Sequence, residues 1–137
     1  MFNFLQLFRT TYSILLSKLA SEGYFVAAVE HRDGSAAATI NDDKTWTFER
    51  KLQPNEDEYD VRNKQVTQRV EECEKSFRLL QNISRQNETA SSWRLFEPSK
   101  EFLESISKTN LDLENGCLIS GHSFGSATAV KAMYTSK

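Results

Sequence analysis

Cysteine and histidine are scarce in this 137-residue sequence, which has two of each. Cys73 and Cys117 stand 44 positions apart, form no metal-ligand pattern, and each falls within an apolar run. Two buried free thiols are therefore expected, rather than a disulfide or a metal knot. An excess of either charge is missing too. Seventeen basic against 19 acidic residues leave a net charge of -2, so no basic field exists to draw in nucleic acid or an anionic membrane. No apolar run reaches the length of a membrane span, and Phe2 stands where an N-myristoylation signal requires glycine. The opening MFNFLQLFRTTYSILLSKLAS has no basic residue ahead of its apolar part, and Arg9, Thr10 and Thr11 interrupt it, which argues against a secretory leader. The compartment stays open, with the cytoplasm preferred to export. Internal repeats and low-complexity tracts are absent as well. What is present, 39% hydrophobic and 26% charged residues, is the composition of one ordinary globular domain.

Phe8, Tyr12, Leu15, Leu16 and Leu19 recur at spacings of three and four, the pattern of a helix face packed on a core. Ser21-Glu22-Gly23 ends that helix with a glycine suited to a left-handed cap. The nearly unbroken apolar run YFVAAVE, residues 24–30, predicts a parallel strand buried on both faces. Residues 34–59, rich in turn formers and charge with Trp46 and Phe48 between, read as a surface excursion holding a short hairpin. From Asp60, the expected cap, Val66, Val70, Cys73, Phe77 and Leu80 advance by four, three, four and three along one helix face. That face covers only about two heptads, so a helix lying on a sheet is preferred to a coiled coil. A polar loop over 87–100, a helical turn or two over Glu101–Ser107, a second short buried strand at Cys117–Ser120 and a helix from Phe124 to Tyr134 complete the pattern. Such alternation of helices and strands predicts a parallel α/β sheet. Two strands cannot cover their apolar runs on both sides, so residues 1–137 read as one partial domain cut from a larger doubly wound, mostly parallel sheet.

The stretch ISGHSFGSAT, residues 119–128, carries the chemistry. In Gly121-His122-Ser123-Phe124-Gly125 the serine falls between a short strand and a helix, the context a Gly-x-Ser-x-Gly elbow demands. Gly121 and Gly125 are needed because side chains there would collide with neighbouring elements where strand reverses into helix. Ser123 is the candidate nucleophile, and the backbone N–H of Phe124 is a candidate oxyanion donor at the positive end of the following helix. A serine in a tight glycine turn with no reaction to perform is the bland alternative. His122 leaves the backbone beside the nucleophile in another direction and makes a poor base. His31 and Asp33, in Glu30-His31-Arg32-Asp33, precede the serine, whereas in this fold acid and base follow it in chain order. Their expected role is structural: Arg32 with a carboxylate, and His31 hydrogen-bonded near the floor of the site.

Three blocks carry a resemblance to a known family. FVAAVEHRDGSAAAT at Phe25–Thr39, VRNKQVTQRVEEC at Val61–Cys73 and GHSFGSATA at Gly121–Ala129, with Phe8-Arg9 and Tyr12-Ser13, resemble the plasma and intracellular type II platelet-activating factor acetylhydrolases in order along nearly the whole chain. The resemblance implies an α/β-hydrolase fold and a calcium-independent serine esterase that removes short or oxidised acyl groups from the second glycerol position of phospholipids. Ser123 would be its nucleophile, with no metal and no cofactor. It also implies an acid and a histidine downstream of the elbow, beyond Lys137, and an upstream glycine-rich oxyanion loop where this sequence has MFNFLQL. No position matches the family's membrane-contacting helices, so contact with a lipid surface is not encoded here. The expected partner is a phospholipid ester and not nucleic acid, with oligomeric state open and little activity in these residues alone. A noncatalytic remnant or interaction module, and a general α/β-hydrolase carboxylesterase, are the alternatives.

Overall fold

A computed structural model describes residues 2–4, 12–41, 43–85, 100–109, 111–113 and 115–135. In chain order the elements are β1 (Phe2–Phe4), α1 (Ser13–Ser21), β2 (Ala38–Ile40), β3 (Trp46–Phe48), α2 (Glu58–Ser84), α3 (Lys100–Lys108), β4 (Ser120–His122) and α4 (Phe124–Thr135). Two compact units divide the chain, one of Met1–Cys73 with Leu118–Lys137 and the other of Glu74–Cys117, and the boundary falls inside α2.

In the first unit β1 and β4 pair in parallel, Phe2 with Ser120, Asn3 with Gly121 and Phe4 with His122, and α4 packs on both strands. The expected hairpin is present as β2 and β3, antiparallel with Thr39 opposite Thr47. Its connection is tied by Asp43, whose Oδ1 accepts from the N–H and hydroxyl of Thr45 at 2.9 and 2.6 Å, while Lys44 takes a left-handed φ of 66°. The fold is therefore mixed α/β, but among the described residues there are two two-stranded sheets and not the doubly wound sheet.

The expected strand over residues 24–30 forms no ladder beyond an isolated bridge at Ala28, and Tyr24 and Phe25 are 65% and 41% exposed. A strand buried on both faces needs neighbours on both sides, and the described residues do not supply them. The second strand lies at Ser120–His122 and not at Cys117–Ser120, with Leu118 72% exposed. Its register is set by pairing with β1, a three-residue element whose FNF sequence has no periodicity to announce it. Cys117 is accordingly exposed, contrary to expectation, while Cys73 is buried; both are free thiols.

Helix α1 covers the predicted span from Ser13 onward, Phe8 lying outside the described residues. Its apolar face is only half covered: Tyr12, Leu16 and Leu19 are half-buried, Leu15 is exposed, and no residue of the helix is buried. The expected cap is found. Gly23 has φ 91°, its N–H donates to the Ala20 carbonyl at 3.0 Å, and the Tyr24 N–H reaches back to the Leu19 carbonyl at 3.3 Å. Those two bonds satisfy carbonyls the helix end leaves open, and the positive φ is available to glycine without steric penalty.

Helix α2 begins earlier than Asp60 suggested. Asp57 is its cap, accepting the Asp60 N–H on Oδ1 at 3.0 Å, while Glu58 and Asp60 sit in the first turn, where negative charge is favoured. Val66, Val70 and Cys73 are buried as their spacing predicts, but the buried stripe also takes in Gln65 and Arg69. Ala36, Ala38, Thr39, Thr128 and Ala132 are also buried in this unit, as are His31 and Ser35.

The second unit holds the end of α2, α3 and the loop that follows. Helix α3 is the helical turn or two expected over Glu101–Ser107. Among the described residues of this unit Ile83 of α2 and Ile106 of α3 are the buried apolar side chains, and Phe77 and Leu80 are half-buried. The turn after α3 is closed by Asp112, which accepts the Asn115 N–H on Oδ1 at 2.9 Å and the Gly116 N–H on its carbonyl at 3.2 Å. Most of the expected polar loop, residues 87–99, lies outside the described residues.

Candidate active site

Ser123 stands between the last residue of β4 and the first of α4, with φ at 56°. A left-handed conformation costs a residue with a Cβ about 1–2 kcal/mol, so surrounding contacts must hold it. Two hydrogen bonds close the turn. The Ser126 N–H donates to the Ser123 carbonyl, and the Ser126 hydroxyl donates to the Gly121 carbonyl, both at 2.9 Å.

The first glycine has a steric reason that can be measured. A Cβ on Gly121 would lie 2.2 Å from the Gly125 carbonyl oxygen and 2.3 Å from its carbon, and both obstacles are backbone. Gly125 itself is buried in the first turn of α4. Position 121 thus admits the helix start against the strand only because it has no side chain. The result is an exposed Ser123 whose hydroxyl has no hydrogen-bond partner among the described residues, at the N-terminus of a 12-residue helix. The first N–H groups of a helix have no partner within it and carry partial positive charge. The N–H of Phe124 is one of them, so the arrangement can offer a donor to an anion forming beside Ser123.

His122 is exposed and its Nδ1 lies 3.1 Å from the Tyr12 hydroxyl, the two rings tilted at 52°. His31 is buried, 3% exposed, with Nδ1 2.5 Å from Glu72 Oε2; its Nε2 has no partner among the described residues. The Arg32 N–H also donates to Glu72, at 3.3 Å to Oε1. The Glu72 carboxylate thus bridges the His31 ring and the Arg32 backbone N–H.

Asp33 has another partner. Its Oδ2 accepts from Arg69 Nε at 2.5 Å, both side chains fully buried, and its Oδ1 accepts from the Ser35 N–H at 3.1 Å and hydroxyl at 2.6 Å. Arg69 also donates to the Ser35 hydroxyl oxygen, and Gln65 Nε2 donates to the Asp33 carbonyl at 3.2 Å. The guanidinium of Arg69 lies over the ring of Phe124, 4.7 Å from its centroid, with Arg62 at 5.9 Å. Sequence reasoning missed Arg69. The available signal was a charged residue within the Val66–Cys73 stripe, where burial requires a carboxylate, together with Asp33 in the neighbouring block. Among the described residues no group of three or more His, Cys, Asp or Glu side chains is placed to hold a metal ion.

Comparison with known proteins agrees with the blocks read from the sequence. The family described as platelet-activating factor acetylhydrolase, isoform II, matches residues 3–137. The platelet-activating factor acetylhydrolases of Canis lupus familiaris and Bos taurus are each 35% identical over 135 residues, covering 92% of this chain and 29% of the relative. That of Gallus gallus is 34% identical over 142 residues, covering 92% of this chain and 32% of the relative. The chain spans less than a third of the length of these curated relatives. With the family match running through almost every residue, the chain belongs to the platelet-activating factor acetylhydrolase isoform II family.

Proposed function

We propose that these residues are the nucleophile-bearing part of a serine esterase that hydrolyses the acetyl, short or oxidised acyl ester at the second glycerol position of a phospholipid. Ser123 attacks the ester carbonyl, its proton passes to a base, the lysophospholipid leaves, and water releases the acyl group from the serine. The Phe124 N–H donates to the oxyanion that develops on the carbonyl oxygen. What carries the reading is the strained, exposed Ser123 at the strand-to-helix apex, closed by Gly121 and Gly125, in a chain of this family.

An unassisted serine hydroxyl is a weak nucleophile. Both histidines of the sequence are engaged elsewhere, His31 buried against Glu72 and His122 with Tyr12. Neither histidine is then placed as the base for Ser123, and residues 1–137 alone are expected to hydrolyse little or nothing.

A chimera tests this: residues 3–137 replace the aligned segment of the canine relative, and release of acetate from an acetyl phospholipid is followed. Hydrolysis is expected, abolished by Ser123→Ala at unchanged melting temperature. A folded chimera that is silent, or one that keeps its activity after Ser123→Ala, overturns the proposal. Preference for simple aryl esters over the acetyl phospholipid marks a general carboxylesterase instead. The second reading, a noncatalytic interaction module, draws on the exposure of Tyr24, Phe25, Leu118, Met133 and Tyr134. A monomer on size-exclusion chromatography at micromolar concentration counts against it.

A further inference from the structure

We propose that Arg69 is a positioning residue for the elbow: its guanidinium, fixed by Asp33 and Ser35, is the seat on which the Phe124 ring holds the start of α4 and so keeps Ser123 at its left-handed apex. The inference rests on the reading of Ser123 as nucleophile for its functional meaning, though its physical content can be tested without it.

Arg69 is wholly buried, and so is the carboxylate it pairs with. Its Nε is committed to Asp33 and another of its donors to Ser35, while Ser35 in turn donates to Asp33. That closed triangle of bonds leaves the guanidinium one orientation. Burial strengthens its attraction for an aromatic face, because no water competes for the charge. The face within reach is Phe124, the residue immediately after Ser123. Farther along α4, Lys131 Nζ donates to Asn63 Oδ1 and Thr67 Oγ1 of α2, both at 2.7 Å, a second attachment of the same two helices. The first attachment lies at the elbow and the second two turns away. Loss of the first should therefore loosen the turn locally and leave the helix docked.

The Ser126 amide, which donates to the Ser123 carbonyl, reports whether the elbow is closed. Native-state hydrogen exchange of that amide is measured in the 137-residue chain, with the Val66 amide inside α2 as control. Phe124→Leu removes the ring and keeps the ion pair; it should speed Ser126 exchange about two- to thirtyfold, the population change equivalent to a cation–π contact, without moving Val66. Phe124→Tyr restores a ring face and should return the native rate. The double variant Arg69→Lys with Phe124→Leu should exchange at Ser126 no faster than Arg69→Lys alone. Unchanged Ser126 exchange in Phe124→Leu, or no recovery in Phe124→Tyr, overturns the inference. If Arg69→Lys does not fold, the Leu and Tyr variants decide. Failure of Ser123 to react with a fluorophosphonate in the chimera would strike the proposed function and leave these exchange results standing.

Discussion

Gly121→Ala is the substitution on which the elbow's geometry has the sharpest consequence. Ordinary contact between non-bonded heavy atoms is about 3.5–4.0 Å, whereas the added methyl would sit 2.2 Å from the Gly125 oxygen and 2.9 Å from the Ser126 nitrogen. The deficit exceeds one ångström and falls on backbone, so no rotamer change relieves it. The turn must open, which breaks the two Ser126 hydrogen bonds at about 1 kcal/mol each and adds about 1–3 kcal/mol of overpacking. A loss of roughly 3–5 kcal/mol follows from those terms. Gly23→Ala is the comparison: unlike Gly121, Gly23 has a positive φ, and nothing lies within 4 Å of the new methyl. It should cost only the conformational term, about 1–2 kcal/mol. Urea denaturation followed by circular dichroism measures both on the same chain. If Gly121→Ala proves no more destabilising than Gly23→Ala, the close approach of β4 and α4 at Gly125 is not what holds Ser123 in place.

Asp33→Ala should destabilise by about 3–5 kcal/mol, because it leaves the Arg69 charge buried without its partner; a loss under 1 kcal/mol in urea denaturation would contradict the buried triangle. Glu56 is held below the ordinary glutamate range, first by the Gln53 N–H and then by Arg50. A depressed carboxyl stabilises the fold above its unfolded value and loses that contribution as pH falls through the folded one. The benefit of Glu56 over Glu56→Gln should accordingly be present at neutral pH and be lost progressively as pH falls below the ordinary glutamate range, as read by the difference in melting temperature between the two. Cys117 is exposed and Cys73 buried, so Ellman's reagent should titrate one thiol in the native chain and the second only on unfolding.

Local signals were readable wherever the chemistry was local. Gly23 ended its helix as expected because a left-handed cap depends on neighbours within one turn, and the elbow was readable because Gly121, Ser123 and Gly125 meet one another across four residues. The hairpin and α3 followed from turn residues and short periodicity. Strand positions were not readable. Residues 24–30 and Cys117–Ser120 have apolar composition, yet whether such a run becomes a ladder is decided by distant partners, and β4 took its register from β1. Asp57 and Asp60 compete for one cap within three residues of each other, and the helix began with the earlier one. At the site, the serine could be read but its support could not: Arg69 meets Asp33 across 36 positions, and no spacing rule announces that pair.

Ser120, Ser123 and Ser126 lie within seven residues, all polar and all beside the same turn, and the account assigns the chemistry to one of them. Mass-spectrometric mapping of the covalent adduct formed by a fluorophosphonate on the chimera separates them. The account predicts a single adduct on Ser123; an adduct on Ser120 or Ser126, or none on a chimera that hydrolyses acetyl phospholipid, contradicts it.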